Sequence, residues 1–135
     1  MDNIEIIKEL YRAFREKDYD GFRNICTDDI EWIQNEGFPN GSVNRGADAV
    51  INNVFKSFSN EWQSWRFIID EFLDGGISVI VLGFYEGTHR VSGKSFRSAA
   101  AHVYDIIDGK ISKFRQYTDT KLMWDAMSNT ISRKQ

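Results

Sequence analysis

The 135-residue sequence predicts an α+β fold, in which helices pack on the concave face of a conical, curved antiparallel sheet. Two observations lead to this prediction. Apolar residues recur at three- and four-residue steps early in the chain, whereas long alternating segments dominate the rest. A sheet of long strands curls as it twists, so helices on its concave face leave a cone open at one end. Pockets form at such openings. The length favours a single domain over residues 1–135.

Helices are predicted at the start of the chain, after the first strand and at the end. The first helix begins at Asp2 or Asn3 as N-cap and carries an apolar stripe, and a second short helix follows it. A third helix covers residues 47–58, with Asp48 in the first turn, where the helix dipole favours an acid. A short helix at residues 120–128 closes the chain.

Strands alternate in side-chain polarity and are separated by turn residues. The first is predicted at residues 27–34, and a loop rich in glycine and asparagine follows at 35–46. This loop is long enough to suggest a functional role. The remaining strands are joined by turns of hairpin length, and they are predicted at residues 63–73, 77–89, 94–107 and 111–118.

Composition and charge exclude several classes of partner. The net charge of −3 and the pI near 5.4 argue against nucleic acid, because phosphate binding needs a basic face. No stretch approaches the roughly 18 apolar residues of a membrane span, and the charged start MDNIEIIKEL is unlike a signal peptide. We therefore expect a cytoplasmic protein that binds no membrane. Aromatic residues make up 14% of the chain, more than a small core needs, so some should line a cavity or an interface.

Metal and cofactor sites are not predicted. The two histidines lie far apart and lack the cysteine spacing of a zinc site, and the chain contains no P-loop or dinucleotide-binding glycine motif. Cys26 is the only cysteine, which excludes an internal disulfide. Since it falls at an apolar helical spacing, we expect a small buried hydrophobic residue.

His102 is the leading candidate functional residue. It interrupts a strand of alanine and valine, and strand alternation places it on one face with Ser98, Ala100 and Tyr104. The small residues around the ring leave space that a plain core would fill. Two interpretations remain open. The ring projects into a cavity as acid, base or donor, or it is a buried histidine bonded to a carboxylate or a backbone carbonyl.

The last strand supplies further candidates. Phe114, Gln116 and Thr118 share a face that is too polar for a core and too apolar for solvent, as in a pocket wall. Asp119 ends the strand. It is either a pocket carboxylate or a cap of the closing helix.

Of the remaining candidates, two lie on the first strand, one lies on the first helix, and two are a pair of tryptophans near the start of the second strand. Trp32 and Gln34 share one face of the first strand, and Phe14 ends the apolar stripe of the first helix. Trp62 is assigned to the pocket rim and Trp65 to the core.

Two charged or titratable positions are given plainer roles. Glu36 opens the long loop and is more simply explained as a turn residue. His89 stands beside Arg90 at a hairpin end, where we expect it to be solvated.

Six short motifs carry a resemblance to a known family. In chain order they are DD-x-x-W, RG-x-x-AV, GK-x-F, AHVY, DGKI and YTDT, and the similarity as a whole runs over roughly residues 3–127. The sequence resembles the SnoaL-like, ketosteroid-isomerase-related members of the nuclear transport factor 2-like superfamily. The resemblance implies a cystatin-like conical α+β barrel with a deep apolar pocket. It also implies a homodimer formed through the outer face of the sheet.

The resemblance implies roles for individual residues. The general-base aspartate of the steroid isomerases matches Gln34, which cannot accept and return a proton near neutral pH. Their second carboxyl, a neutral acid in the oxyanion hole, matches His102, and their oxyanion tyrosine is nearest to Tyr11. A neutral imidazole could likewise donate a hydrogen bond to a developing oxyanion.

Two other reactions of the superfamily suggest a role for Asp119. The polyketide cyclases use an aspartate base with a nearby histidine, roles that Asp119 and His102 would fill. Arg97 and Asp119 match part of the Asp-Arg-Asp set of the epoxide hydrolases.

Three functions follow from these observations. The leading hypothesis is a small-molecule pocket protein whose mostly apolar ligand has one carbonyl or hydroxyl, anchored by His102, Gln116 and Tyr11. An enzyme of this kind would be an isomerase or cyclase that moves a proton next to a carbonyl. The second hypothesis is a non-catalytic ligand-binding or dimerisation module, favoured by Gln34 in place of the base. The third is a scaffold whose exposed aromatic sheet face binds another protein.

Overall fold

The computed structural model describes residues 1–39 and 41–128. The predicted fold class is confirmed, because helices pack against one six-stranded curved sheet. In chain order the elements are α1 (Asn3–Glu16), α2 (Tyr19–Asn24), β1 (Cys26–Ile33), β2 (Val43–Arg45), α3 (Ala47–Val50), a π-helical segment (Ile51–Phe55), α4 (Lys56–Glu61), β3 (Trp62–Gly75), β4 (Ser78–His89), β5 (Ser95–Ile107), β6 (Lys110–Thr118) and α5 (Lys121–Met127).

Helix α1 begins with a capping box. The Asp2 carboxylate accepts a hydrogen bond from the Glu5 backbone N–H at 2.8 Å, and the Glu5 carboxylate accepts one from the Asp2 N–H at 3.0 Å. Lys17 takes a left-handed conformation, with φ of 55°, and ends the helix. Between these ends the apolar stripe faces the sheet, and it carries Leu10 and Tyr11 into the interior.

The sheet has the strand order β2-β1-β6-β5-β4-β3. Strands β3 to β6 pair in antiparallel fashion, as predicted. In this register His102 on β5 lies opposite Val81 on β4 and opposite Gln116 on β6. Strand β1 pairs with β6 in parallel, which the sequence analysis did not predict. Hairpin turns predict only pairs of consecutive strands, and β1 joins a strand from the far end of the chain.

Two segments differ from the predicted elements. The loop predicted at 35–46 contains the short strand β2, which pairs antiparallel with β1. The helix predicted at 47–58 continues to Glu61 and includes the π-helical segment. Val54 and Phe55 of this segment both face the interior, in keeping with the apolar helical spacing in the sequence.

Two clusters of buried apolar side chains fill the molecule. The larger lies between the helices and the sheet and includes Ile7, Leu10 and Ile30. The smaller lies beneath α5 and includes Phe38 and Met123. Cys26 is buried at 5% exposure, as predicted, and burial raises the pKa of its thiol to about 12. Within residues 1–39 and 41–128, no helix combines the length and the apolar character needed to cross a membrane.

Candidate ligand-binding site

A chamber of about 50 Å³ lies between the helices and the concave face of the sheet. Most of the predicted site residues line it, namely Tyr11, Phe14, Trp32, Gln34, His102, Phe114 and Gln116. The other residues of its wall are apolar, apart from two further tyrosines, Tyr85 and Tyr104, which carry hydroxyl groups. The chamber therefore combines an apolar surface with a few convergent polar groups, which is typical of small-molecule sites.

His102 is hydrogen-bonded on both sides of its ring. The Tyr11 hydroxyl lies 2.7 Å from Nδ1, and the Tyr85 hydroxyl lies 2.6 Å from Nε2. The ring also stacks on Phe67, with the two ring centroids 4.1 Å apart. His102 is thus buried at 4% exposure, but its partners are two phenols rather than the expected carboxylate or backbone carbonyl.

The hydrogen bonds continue beyond the two phenols. The Tyr104 hydroxyl donates to the Tyr11 hydroxyl at 3.0 Å, and Gln116 Nε2 donates to the Tyr85 hydroxyl at 2.6 Å. We refer to Tyr104, Tyr11, His102, Tyr85 and Gln116 as the polar cluster. It draws on α1, β4, β5 and β6, so it forms only when the helix is seated on the sheet.

Gly83 on β4 makes room for the stacking of Phe67 on His102. Strand alternation places Gly83 on the same inner face as Tyr85. A Cβ atom at Gly83 would lie 2.9 Å from Phe67 Cζ and would collide with the Ile68 carbonyl oxygen. Only glycine therefore allows the edge strand β3 to approach closely enough for Phe67 to cover the imidazole.

Burial keeps the titratable members of the polar cluster uncharged. Loss of solvation lowers the pKa of His102 to about 3. The same cause raises the pKa values of Tyr11, Tyr85 and Tyr104 above the usual tyrosine range. At neutral pH the imidazole is therefore neutral and all three phenols keep their protons. Among the described residues, no aspartate or glutamate lines the chamber.

Two polar atoms of the chamber wall are buried without a hydrogen-bond partner. They are Gln116 Oε1, an acceptor, and Trp32 Nε1, a donor. Both residues are nearly inaccessible, at 2% and 4% exposure. Because buried polar groups are nearly always paired in folded proteins, these two atoms mark positions where an enclosed molecule can bond.

A wider groove of about 470 Å³ adjoins the chamber. The two spaces share aromatic walls that include Phe14, Phe58 and Trp65. The charged residues among the described lining of the groove are all basic, namely Arg15, Lys17, Arg66 and Arg90. Because the chamber and the groove share this aromatic wall, an apolar molecule too large for the chamber can extend along it into the groove.

The predicted pairing of Asp119 with His102 is corrected by the structure. Asp119 is exposed and does not line the chamber. Its carboxylate instead accepts a hydrogen bond at 3.0 Å from the backbone N–H of Lys121, the first residue of α5. Asp119 therefore comes close to the alternative role of a helix cap, because it precedes the N-cap Thr120 and bonds to the first N–H group of α5.

Two other predicted binding residues lie outside the chamber. The Thr118 hydroxyl donates to the backbone carbonyl of Ala99 at 2.8 Å. Trp62 is buried at 4% exposure in the smaller apolar cluster, whereas Trp65 lines the chamber. Trp62 also lines the groove that adjoins the chamber, as Trp65 does, and the rings of the two tryptophans lie together with their centroids 5.1 Å apart.

The structure also shows where three less prominent candidates lie, namely His89, Arg97 and Glu36. His89 is buried rather than solvated, and its Nδ1 accepts from the Ser92 N–H at 3.3 Å. Arg97 is exposed and lies over the Phe84 ring on the outer side of the sheet, so no Asp-Arg-Asp set forms with it. Glu36 is exposed within a turn, in agreement with its plainer interpretation.

The most important residue that the sequence analysis missed is Tyr85. It belongs to an alternating series on β4 in which Val79, Val81, Gly83 and Tyr85 face inward. This alternation is visible in the sequence and could have identified Tyr85 as an inward phenol. Its contact with His102 depends on the register of β4 against β5, which the sequence does not give.

Fold and site together define an α+β protein with a small chamber between its helices and a curved sheet. The SnoaL-like domain model matches residues 7–114, and the chain belongs to this family. The resemblance that the six motifs carry is therefore confirmed.

Solved structures show the same architecture. An NTF2-like protein from Burkholderia thailandensis E264 is 38% identical with a TM-score of 0.87, over 92% of this chain and 95% of that chain. An NTF2-like protein of unknown function from Burkholderia pseudomallei K96243 is 26% identical with a TM-score of 0.85, over 95% and 99%. A cystatin-like protein from Xanthomonas campestris shares the fold at 20% identity and a TM-score of 0.79, over 94% and 97%. The search of curated proteins found no match.

Proposed function

We propose that this protein binds a small, mostly apolar molecule through one carbonyl or hydroxyl group. The observation that carries the proposal is the polar cluster around His102, which is buried in an otherwise apolar chamber. A polar group without a partner is costly to bury, so such a cluster is expected where a ligand supplies the missing bonds. Membership of the SnoaL-like family supports a ligand-binding role.

The dimensions of the site support an orientation for this ligand. By volume the chamber could hold about four water molecules, so it suits the polar end of a ligand rather than a whole one. The adjoining groove is much larger and shares the aromatic wall. We propose that the oxygen of the ligand enters the chamber and the apolar body extends along Phe14, Phe58 and Trp65.

The chemistry of the cluster favours binding and polarisation over proton abstraction. With a pKa of about 3, His102 is a weak base. Gln34, which the resemblance matches to the general base of the steroid isomerases, lines the chamber as an amide, and no carboxylate lines the described part of it. Neutral phenols can nonetheless donate to a carbonyl oxygen and stabilise negative charge that develops there.

An isomerase or cyclase is the second candidate function. It is favoured by the phenols that flank His102, since one phenol O–H that is free to donate suits an enolate oxygen. In this alternative, His102 orients the phenols or donates a hydrogen bond, and the base comes from outside the described wall.

Binding and turnover can be separated with one panel of cyclic ketones and alcohols. Binding is measured by thermal shift and calorimetry, and turnover by deuterium uptake next to the ketone carbonyl in D₂O. His102→Phe keeps a ring against Phe67 but removes both hydrogen bonds, and it should abolish binding. Ile107→Phe adds the same side chain at an exposed site on the same strand and serves as control. Unchanged affinity in His102→Phe would contradict the proposal.

We also propose that the protein forms a homodimer through the outer face of the sheet. Strand alternation places Ile80, Leu82 and Phe84 on this face of β4, and Val103 on the same face of β5. These side chains are half-buried within the monomer, and Tyr117 beside them is 55% exposed. An apolar sheet face of this kind is suited to association with a second copy of itself.

A further inference from the structure

The hydrogen bonds of the polar cluster leave one phenol proton unused. Four bonds join Tyr104 to Tyr11, Tyr11 to His102, His102 to Tyr85, and Tyr85 to Gln116. The Gln116 amide supplies the proton of the last bond. Three protons are needed for the other bonds, whereas three phenols and one neutral imidazole supply four. One O–H group therefore remains free to donate.

Either tautomer of His102 leads to the same count. With the proton on Nε2, the imidazole donates to Tyr85, Tyr11 donates to Nδ1, and the Tyr85 proton is free. With the proton on Nδ1, the imidazole donates to Tyr11, Tyr85 donates to Nε2, and the Tyr11 proton is free. Both hydroxyls belong to residues that line the chamber. The chamber thus always offers a phenol donor to its contents.

The chamber also offers an acceptor. Gln116 Oε1 is buried without a partner, while Nε2 of the same amide is held 2.6 Å from the Tyr85 hydroxyl. That bond fixes the amide and keeps Oε1 close to the Tyr85 hydroxyl. The indole N–H of Trp32 adds a second unpaired donor in the same wall. An enclosed group therefore meets both free donors and a free acceptor.

We propose that the site selects a neutral hydroxyl, as found in an alcohol or phenol with an apolar body, over a ketone. A hydroxyl oxygen accepts from the free phenol proton while its own proton goes to Gln116 Oε1. A ketone oxygen accepts in the same way but leaves the Gln116 oxygen buried and unpaired. This inference rests on the proposed function and narrows its carbonyl-or-hydroxyl group to the hydroxyl.

Charged ligand groups fit the chamber less well. Its described wall contains no lysine or arginine to pair with an ionised carboxylate, and no acid to pair with an ammonium group. Burying an unpaired charge in such surroundings is far more costly than burying a hydroxyl. The neutral state of His102 and of the tyrosines agrees with a neutral guest.

The test compares three probes with one skeleton: 1-indanol, 1-indanone and 1-methoxyindane. All three carry an oxygen that accepts, but only 1-indanol can donate. We expect 1-indanol to bind about tenfold more tightly than the ketone or the ether, measured by calorimetry or NMR titration. Tighter binding of 1-indanone would mean that the Gln116 amide presents its nitrogen to the chamber, and it would overturn the inference.

A substitution at Gln116 tests the assigned acceptor. Gln116→Met keeps the length of the side chain but removes the amide, so the preference for 1-indanol should fall to about parity with the ketone. Ile107→Met adds the same side chain at an exposed site at the end of β5 and should keep the preference. An undiminished preference in Gln116→Met would contradict the role of Oε1.

The outcomes separate this inference from the proposed function. If the three probes bind the unmodified protein equally well and His102→Phe loses all of them, the proposed function stands and the hydroxyl preference is wrong. If none of the probes binds, both the proposed function and the hydroxyl preference are contradicted.

Discussion

Tyr85 joins His102 to Gln116 across three neighbouring strands: its hydroxyl oxygen lies 2.6 Å from Nε2 of His102 and 2.6 Å from Nε2 of Gln116. His102 and Gln116 are already cross-strand partners on β5 and β6. The phenol on β4 therefore closes a small hydrogen-bonded unit over the concave face of the sheet. Since each member limits the orientation of the others, the site is organised before any ligand enters.

Removal of the Tyr85 hydroxyl should weaken both stability and binding. Tyr85→Phe leaves Nε2 of His102 and Nε2 of Gln116 each without a hydrogen-bond partner, so we expect the free energy of unfolding to fall by about 1–3 kcal/mol. Urea denaturation followed by tryptophan fluorescence measures this change. Tyr19→Phe makes the same substitution at a tyrosine on α2, outside the polar cluster, and should stay within about 0.5 kcal/mol of the parent. Equal stability of the two variants would show that the Tyr85 bonds contribute little.

Stability should fall as the pH drops below about 6.5, because His102 is held neutral in the folded state. Its folded pKa of about 3 is lower than its unfolded value of about 6.5, so the unfolded chain binds more protons between these values. The contribution is complete above pH 6.5 and is lost as the pH falls toward 3, at up to about 1.4 kcal/mol per pH unit.

The pH prediction is best measured between pH 6.5 and 4.5, where most carboxylates remain ionised. Urea denaturation at several pH values gives the slope of the unfolding free energy. The slope should be smaller in His102→Phe than in the parent and unchanged in Ile107→Phe. Parallel slopes in the parent and His102→Phe would show that the imidazole is not the titrating group.

Asp119 should have no role in ligand binding. Its carboxylate is exposed and bonds to the start of α5 rather than to His102. Asp119→Asn keeps an oxygen that can accept the Lys121 N–H, so affinity for 1-indanol should change by less than about twofold. A loss of tenfold or more in a titration would restore the aspartate–histidine pair implied by the family's cyclases.

The outer sheet face should carry the homodimer. A charge at Leu82, as in Leu82→Glu, would be buried unpaired in the interface and should convert the dimer to a monomer. Light scattering after gel filtration measures the mass, and Ile107→Glu at the exposed end of β5 is the control. A monomeric parent protein would contradict the proposal, and a stable heteromer from native extract would favour the scaffold hypothesis instead.

Local sequence patterns were sufficient to predict most of the fold. The capping residue Asp2, the apolar stripe of α1 and the hairpin turns each depend on neighbours a few positions away. The inward direction of His102 follows in the same way, because alternation along β5 fixes which side chains share a face. His102 lines the chamber, but the small residues beside it, Ser98 and Ala100, are not among the residues described as lining it.

Long-range contacts decided the rest. The sequence placed His102 on the inner face but could not choose its partners, and the expected carboxylate of Asp119 bonds to the start of α5 instead. Tyr85 reaches the imidazole because of the strand register, Tyr11 because α1 packs across the sheet, and Phe67 because Gly83 lets β3 approach. The parallel pairing of β1 with β6 is also a long-range contact, because the two strands lie toward opposite ends of the chain. Alternation determines the direction of a side chain, whereas register and helix placement determine what it meets, and these depend on the packing of the whole chain.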